Sequence, residues 1–339
     1  MSLTGGSGFL GSHILSQLLQ QGYTVRAAIR DSKAAQIRQT YQSYSSQLEV
    51  VSISDIATDQ FPDALKGVTA VIHTAAPLAL RVSSSEELVK GAVDGILNVI
   101  TQAERAGVTK IVATSTVLTA ATPSMTFTDK DWYPTTKEAA LGSNGVEAYQ
   151  AAKTIAEQEL WKFADKHPHV EVVTLNPPYL YGPFAENFKL PKPDYGAFST
   201  NALIYQLLSP QGKFPDYPLY IDVRDVAKAH ILALSSLPTS SAGRKRLILS
   251  SPHEVDFTEI IELIKRKRPE LEGRLTKTVP PQFPFKRLPF DIKRVETVIG
   301  LKEADYSGLE DTLLATIDGL IKFENEWKAK GYEVEVPKW

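Results

Sequence analysis

Apolar positions along this chain switch repeatedly between two periods. Short runs typical of strands occur at 2–4 (SLT), 24–29 (TVRAAI), 48–53 (LEVVSI), 68–75 (VTAVIHTA), 109–115 (TKIVATS), 170–176 (VEVVTLN) and 245–251 (KRLILSS). Between them, apolar residues recur every three or four positions, as a half-buried helix requires. Such stretches are FLGSHILSQLLQQ after the first run, 32–41, 85–106, 146–165 and 222–236. Strands alternating with helices predict βαβ units, a parallel sheet and an α/β fold. The first run has three residues, against the ~5–6 usual for a strand, and is expected to fray.

Residues 177–219 break the rhythm. Prolines and aromatics crowd into PPYLYGPF, LPKPDYGAF and KFPDYPLY, which predicts loops with little regular structure, forming a lid or a substrate lobe. The tail returns to helical patterns near 256–267, 291–299 and 308–330, separated by proline-rich linkers.

Composition narrows the classes. With 339 residues, 43% of them hydrophobic, the chain can bury a large core. Lys and Arg number 37 and Asp and Glu 39, a net charge of −2, which gives no general attraction to nucleic acid or to an anionic membrane. The absence of cysteine excludes disulfides, thiolate metal sites and cysteine nucleophiles. His167 and His169 have no matching partners, so no metal is expected. The first residues do not read as a signal peptide, and no apolar run nears the ~18 residues of a membrane span. A soluble, cytoplasmic protein is expected, monomeric or homodimeric.

The first chemical signal is TGGSGFLG at 4–11. Gly5, Gly8 and Gly11 stand three apart between a strand and a helix. Gly5 suits a tight turn, Gly8 lets the backbone approach a pyrophosphate, and Gly11 lets the helix pack on the sheet, whose helix N-terminus then faces the phosphates. At the end of the second strand, where an acidic residue would select NAD, stands Arg30. A guanidinium fork there suits a 2′-phosphate and predicts NADPH, with Lys33 adding charge. Asp31 is read as a helix N-cap. Asp55 is either an acceptor for the adenine amino group or a turn residue. The small-residue loop HTAAP (73–77) would run along the cofactor through Thr74, Ala75 and Ala76, His73 itself being a buried strand histidine.

The sharpest signal is Tyr149 and Lys153, four apart on one helix face. A phenol with a pKa near ~10 is a poor proton donor at neutral pH until a nearby cation stabilises its anion. Upstream, Thr114, Ser115 and Thr116 put three hydroxyls in a row at the end of the fifth strand.

The stretches TGGSGFLGSHI, VRAAIRD, VIHTAAP, DGILNVI, KIVATSTV, YQAAK, NPPYLYGPF and IDVRDVAKAH together resemble the extended short-chain dehydrogenase/reductase family. The branch they resemble holds dihydroflavonol 4-reductases, cinnamoyl-CoA reductases and fungal carbonyl or methylglyoxal reductases. The resemblance spans residues 4 to about 232. It implies a Rossmann-type, doubly wound sheet (1–177 with 220–250) and a smaller substrate lobe (178–219 with 251–339). It implies hydride transfer from NADPH to an aldehyde or ketone, with Thr116 orienting the carbonyl oxygen, Tyr149 protonating it, and Lys153 lowering the tyrosine pKa and holding the nicotinamide ribose. Pro177, Pro178 and Tyr179 would lie beside the nicotinamide, with Ser199 or Thr200 within reach. Phe9, Leu10 and Ile56 would touch the cofactor. Pro77, Val117, Leu118, Tyr179, Phe184 and Phe198 would line the substrate pocket. The branch usually has Ser-Ser where this chain has Ser115–Thr116.

Two other functions share this pattern. Nucleotide-sugar dehydratases place an acid pair after the strand hydroxyl, where this chain has Val117 and Leu118. Nucleotide-sugar enzymes also need cations for a diphosphate, and residues 178–219 offer only Lys189, Lys192 and Lys213. A non-catalytic NADP sensor would have no need of the Tyr–Lys pair.

Overall fold

The computed structural model describes residues 1–75, 84–122 and 127–337. Seven parallel strands form the central sheet: β1 (Ser2–Thr4), β2 (Val25–Ile29), β3 (Leu48–Ser52), β4 (Ala70–His73), β5 (Lys110–Thr114), β6 (Glu171–Asn176) and β9 (Lys245–Ile248). Their order is β3-β2-β1-β4-β5-β6-β9. The chain therefore steps outward from β1 to β3, then returns to the other side of β1 and continues outward. The switch point lies between β1 and β4, and a crevice beyond the C-terminal ends of those strands is where open α/β sheets bind ligands.

β1 does not fray. It is in register with β2 (Leu3 beside Ala27) and β4 (Leu3 beside Ile72), and its three residues are at most 3% exposed. Central placement, with ladder bonds on both edges, compensates for its length.

Helices cover both faces. On one, α1 (Phe9–Gln20) and α8 (Val223–Leu232) share a core with the sheet through Ile14, Leu15, Leu18 and Val226. On the other, α4 (Ser85–Arg105) packs against α6 (Gly145–Lys166) through Val89, Ile96 and Ile100 facing Ala152, Leu160 and Trp161. α2 (Asp31–Thr40) follows β2, and the short helices α3 (Pro62–Leu65), α5 (Lys137–Gly142) and α9 (Thr239–Ala242) fill connections that carry too few apolar repeats to register in the sequence. No helix among the described residues is long and apolar enough to cross a membrane.

A second core lies in the C-terminal part. α7 (Asn201–Gln206), α10 (Phe257–Lys267) and α12 (Leu309–Ala329) enclose Phe198, Tyr205, Ile264, Phe323 and Trp327. α11 (Ile292–Ile299) returns to the sheet. The segment 177–219 is more ordered than its prolines predict. β7 (Leu180–Tyr181) pairs with β8 (Ile221–Asp222), because the Asp222 carboxylate, fully buried, accepts from Arg224 and from Thr312 of α12 and so ties this strand pair to the tail.

The glycine turn shows why helix and sheet lie so close. A Cβ on Gly11 would stand 2.0 Å from the Gly5 carbonyl oxygen. Gly11→Ala is therefore expected to cost about 1–3 kcal/mol, the range for overpacking, read as a lower urea midpoint with an unchanged slope. A stability equal to the parent's would show that the turn relaxes freely.

Candidate active site

The turn after β1 is shaped to receive an anion. Gly5 has φ +76°, a conformation that favours glycine, and a Cβ there would strike Thr74 Oγ1 at 2.5 Å. A Cβ on Gly8 would meet only the Gly5 oxygen, at 3.3 Å, so the other side of that residue faces open space. Gly8 is the N-cap of α1, and neither a side-chain cap nor an acidic first-turn residue answers the helix's first N–H groups. Among the described residues those groups and the helix dipole are free for a phosphate. Leu10 sits half-buried in this first turn. Phe9 is buried instead, edge-on to Phe184 at 5.4 Å.

Around this turn, Thr74 donates its hydroxyl to the Thr4 carbonyl and Ala75 N–H reaches Thr4 Oγ1. Ala76 and Pro77 lie outside the described residues. His73 is buried against Thr4, and burial takes its pKa to about 3, so it is neutral.

At the end of β2, Arg30 is exposed, and no hydrogen bond or ion pair engages its side chain among the described residues. Its backbone, not that of Asp31, is the N-cap of α2. Asp31 is the first residue inside the helix, where its carboxylate meets the N-terminal dipole and accepts from Ser54 Oγ at 2.6 Å. Lys33 follows in the same turn. Asp55 is exposed, and its Oδ1 accepts from Ala57 N–H at 2.9 Å. The Ile56 carbonyl accepts from Asn98 of α4, which holds this loop against the sheet.

The three hydroxyls at the end of β5 separate cleanly. His230 Nδ1 faces the Val226 carbonyl, which can only accept, so Nδ1 carries a proton. Burial lowers the His230 pKa to about 4, leaving Nε2 a bare acceptor, and Thr114 donates to it at 2.7 Å. Ser115 donates to Glu157 Oε2 at 2.7 Å. Thr116 only accepts, from Leu118 N–H at 3.3 Å, so among the described residues its own proton is uncommitted.

α6 docks on either side of Thr116. Lys153 Nζ donates to the Thr114 carbonyl at 3.0 Å, and Gln150, next to Tyr149, donates to the Leu118 carbonyl at 2.9 Å. That turn of helix therefore spans residues 114–118. Burial raises the Tyr149 phenol to about 12 and lowers Lys153 to about 8. The expected depression of the tyrosine by its lysine is not seen in the ligand-free site, where desolvation of the phenol dominates. Tyr149 thus holds its proton at neutral pH, the form a proton donor needs, while Lys153 is largely charged.

The far wall is NPPY. Pro177 is buried and its carbonyl accepts from Val117 N–H, while Pro178 and Tyr179 remain half-exposed. Thr200 exchanges both hydrogen bonds with the Leu180 backbone. Ser199, at φ 53°, has the only positive φ outside glycine among the described residues. Thr200 is thereby consumed, and Ser199 is the one whose hydroxyl stays available.

Phe184, half-buried, packs on Phe9, Phe188 and Phe323, joining α1 to α12. The pocket expectations need correction at two residues. Phe198 is fully enclosed by Tyr205, Phe323 and Trp327 and cannot touch a ligand. Val117 is buried with Ala120, Leu219, Ile248 and Leu288, behind the wall rather than on it. In each case the aromatic or apolar residue was drawn into a core that the loop-like sequence did not announce. Leu118 and Tyr179 keep partly exposed faces.

Sequence reasoning passed over Glu157 and Arg246. The two side chains, each 2% exposed, pair at 2.9 Å. The available signal was the position of Glu157, one further turn along the Tyr149–Lys153 face.

Comparison with known proteins fits this geometry. The chain is 28% identical to the NADPH-dependent methylglyoxal reductase GRE2 of Saccharomyces cerevisiae, over 95% of this chain and 98% of that one. It is 30% identical to the ketoreductase adrE of Penicillium rubens, over 79% and 80%. The crystal structure of yeast methylglyoxal/isovaleraldehyde reductase Gre2 with NADPH superposes with a TM-score of 0.80 at 26% identity, covering 96% of this chain and 100% of that one. The model of the NAD dependent epimerase/dehydratase family matches residues 1–245, and the chain belongs to that family.

Proposed function

We propose that the protein is an NADPH-dependent reductase of aldehydes and ketones. The observation that carries this reading is the end of β5: of three consecutive hydroxyls, two are committed within the protein, and the third, Thr116, lies under the turn of α6 that bears Tyr149 and Lys153. The two reductase relatives described above support the same chemistry.

The residues fit the cofactor. The α1 N-terminus and Gly8 would take the pyrophosphate, Arg30 and Lys33 the 2′-phosphate, Lys153 the nicotinamide ribose, and Pro177, Pro178, Tyr179 and Ser199 would border the nicotinamide. The chemistry such a cofactor would supply is hydride transfer to the carbonyl carbon. Thr116 donates a hydrogen bond to the carbonyl oxygen and shares the charge that develops on it. Tyr149 delivers the proton. Lys153 stabilises the phenolate left behind. We divide the chain accordingly into 1–177 with 220–250, which hold the cofactor, and 178–219 with 251–339, which complete the substrate side except for α11 and the residues after it to Tyr306, which pack into the core of the sheet. We place the protein in the cytoplasm, as a monomer or homodimer.

The test is NADPH consumption against a panel of aldehydes and ketones. Turnover supports the reading, and tight binding of NADPH with no turnover on any member would indicate a sensor instead. Cofactor choice is a separate expectation. Arg30→Ala should remove most of a preference for NADPH over NADH of about 1.5–3 kcal/mol, the range for hydrogen bonds to charged groups. That corresponds to roughly tenfold to a hundredfold in Kd, with NADH binding left nearly unchanged. Equal affinity for both cofactors in the parent protein would rule out this role for Arg30.

A further inference from the structure

Behind the catalytic turn lies a buried charge that the mechanism above does not use. The Glu157 carboxylate accepts from Ser115 at 2.7 Å, Thr119 at 2.6 Å, Thr174 at 2.8 Å and Asn176 at 2.8 Å, besides its ion pair with Arg246. Four of these partners lie on the structural edge of the active site. Ser115 precedes Thr116, Thr119 lies three residues beyond it, and Asn176 donates to the Thr116 carbonyl and precedes Pro177. Thr174 fixes β6 from below. Arg246, in turn, stacks on Trp132 with its guanidinium carbon 3.9 Å from the ring centroid.

The same carboxylate faces Lys153. The two residues are one helical turn apart and line one small cavity together with His73, Thr114, Ser115 and Thr174. We propose that Glu157 is a positioning residue of the reaction: it keeps Lys153 in its ammonium form and clamps the ends of β5 and β6 that carry Thr116 and Pro177. The inference rests on the assignment of Lys153 given above.

The charges around Lys153 support this. On its own helix it meets the uncharged Tyr149 and the anionic Glu157. From β4 it meets His73, neutral at any pH of interest. From β5 it meets the Thr114 carbonyl, and α4 contributes Ala92 and Ile96 to the cavity it lines. From β9, Arg246 is ion-paired with Glu157. Burial pulls Lys153 down to about 8, and Glu157 is the one charge that opposes the fall. Glu157 itself stays ionised, because Arg246 and the hydroxyl donors outweigh its burial.

The experiment is the pH profile of kcat/KM for Glu157→Gln, paired with the 15Nζ resonance of Lys153 in the ligand-free protein. The alkaline limb and the resonance should both move down together by about one pH unit or more, as loss of a close opposite charge does. Activity at pH 6 should largely recover while that at pH 8 falls about fivefold or more, which a merely structural lesion would not do. Glu157→Asp keeps the charge and should keep the limb near its parental place while stability drops. Should Glu157→Gln leave Arg246 unpaired and unfolded, Glu157→Gln with Arg246→Met removes both buried charges, a replacement proteins often tolerate, and is read the same way. An unmoved limb and resonance in either folded variant overturns the proposal. So does failure of both variants to give a folded, NADPH-binding protein, which assigns Glu157 to folding alone. Lys153→Met separates the two readings: if it retains full activity, the catalytic set itself is wrong, and if it is inactive while the Glu157→Gln profile is unmoved, only the present inference falls.

Discussion

Tyr149→Phe is expected to lower kcat for carbonyl reduction by roughly 10²–10⁴-fold, the usual contribution of a positioned proton donor. The substitution leaves the ring in its packing beside the α4–α6 core and removes only the transferable proton. Fold stability and NADPH affinity should therefore change little, and a kcat within a few-fold of the parent's would eliminate Tyr149 as the acid. The profile against pH carries independent information. Tyr149 holds its proton up to about 12 and cannot limit activity in the accessible range. Lys153, at about 8 in the ligand-free protein, can. Its charged form is the active one, so kcat/KM should be flat below pH 8 and fall about tenfold per pH unit above it. That alkaline limb should vanish in Lys153→Met, which should be slow at every pH and weaker for NADPH because the ribose contact is lost. An alkaline limb that survives in Lys153→Met would belong to another group.

How much of this was legible in the sequence depends on how locally each feature is encoded. The strands and long helices were, because one residue period over five to twenty positions decides them. α6 runs Gly145–Lys166 where the pattern predicted 146–165. The glycine turn was legible too, since Gly5 and Gly11 answer to backbone distances within a few residues. What escaped were features made by pairs far apart in the chain. Asp222 meets Thr312 across 90 positions, and Glu157 meets Arg246 across 89. Neither has a local period, and together they order β7, β8 and the floor of the active site. The same blindness explains Phe198. An aromatic residue in a proline-rich stretch looks like pocket lining until α12, more than 100 residues on, supplies Phe323 and Trp327 to cover it. Asp31 failed for a subtler reason. An acidic residue serves a helix N-terminus equally well as the cap or in the first turn, and only the backbone angles of Arg30, φ −60° and ψ 142°, tell the two apart.

The second large effect is expected at Thr116. Strand alternation places Thr114 and Thr116 on one face and Ser115 on the other, but alternation alone does not say which hydroxyl reacts. The hydrogen bonds do. Thr114 is held by His230, a neutral acceptor that it cannot leave without orphaning a buried nitrogen. Ser115 is one of the donors around Glu157, and its proton is committed to that carboxylate. Thr116 alone has a proton to give, and its oxygen is oriented by the Leu118 N–H. Thr116→Val, nearly isosteric, should cut kcat/KM by about 10²–10³-fold, the scale for losing one donor to a developing oxyanion, with little change in thermal midpoint. Thr116→Ser should keep most of the activity. Ser115→Ala should show the converse pattern: a stability loss of about 1.5–3 kcal/mol, as for a hydrogen bond to a charged group, with kcat/KM reduced far less than in Thr116→Val. Activity lost in a folded Ser115→Ala protein and retained in Thr116→Val would move the reacting hydroxyl to the other face of the strand, and with it the direction from which the carbonyl meets Tyr149.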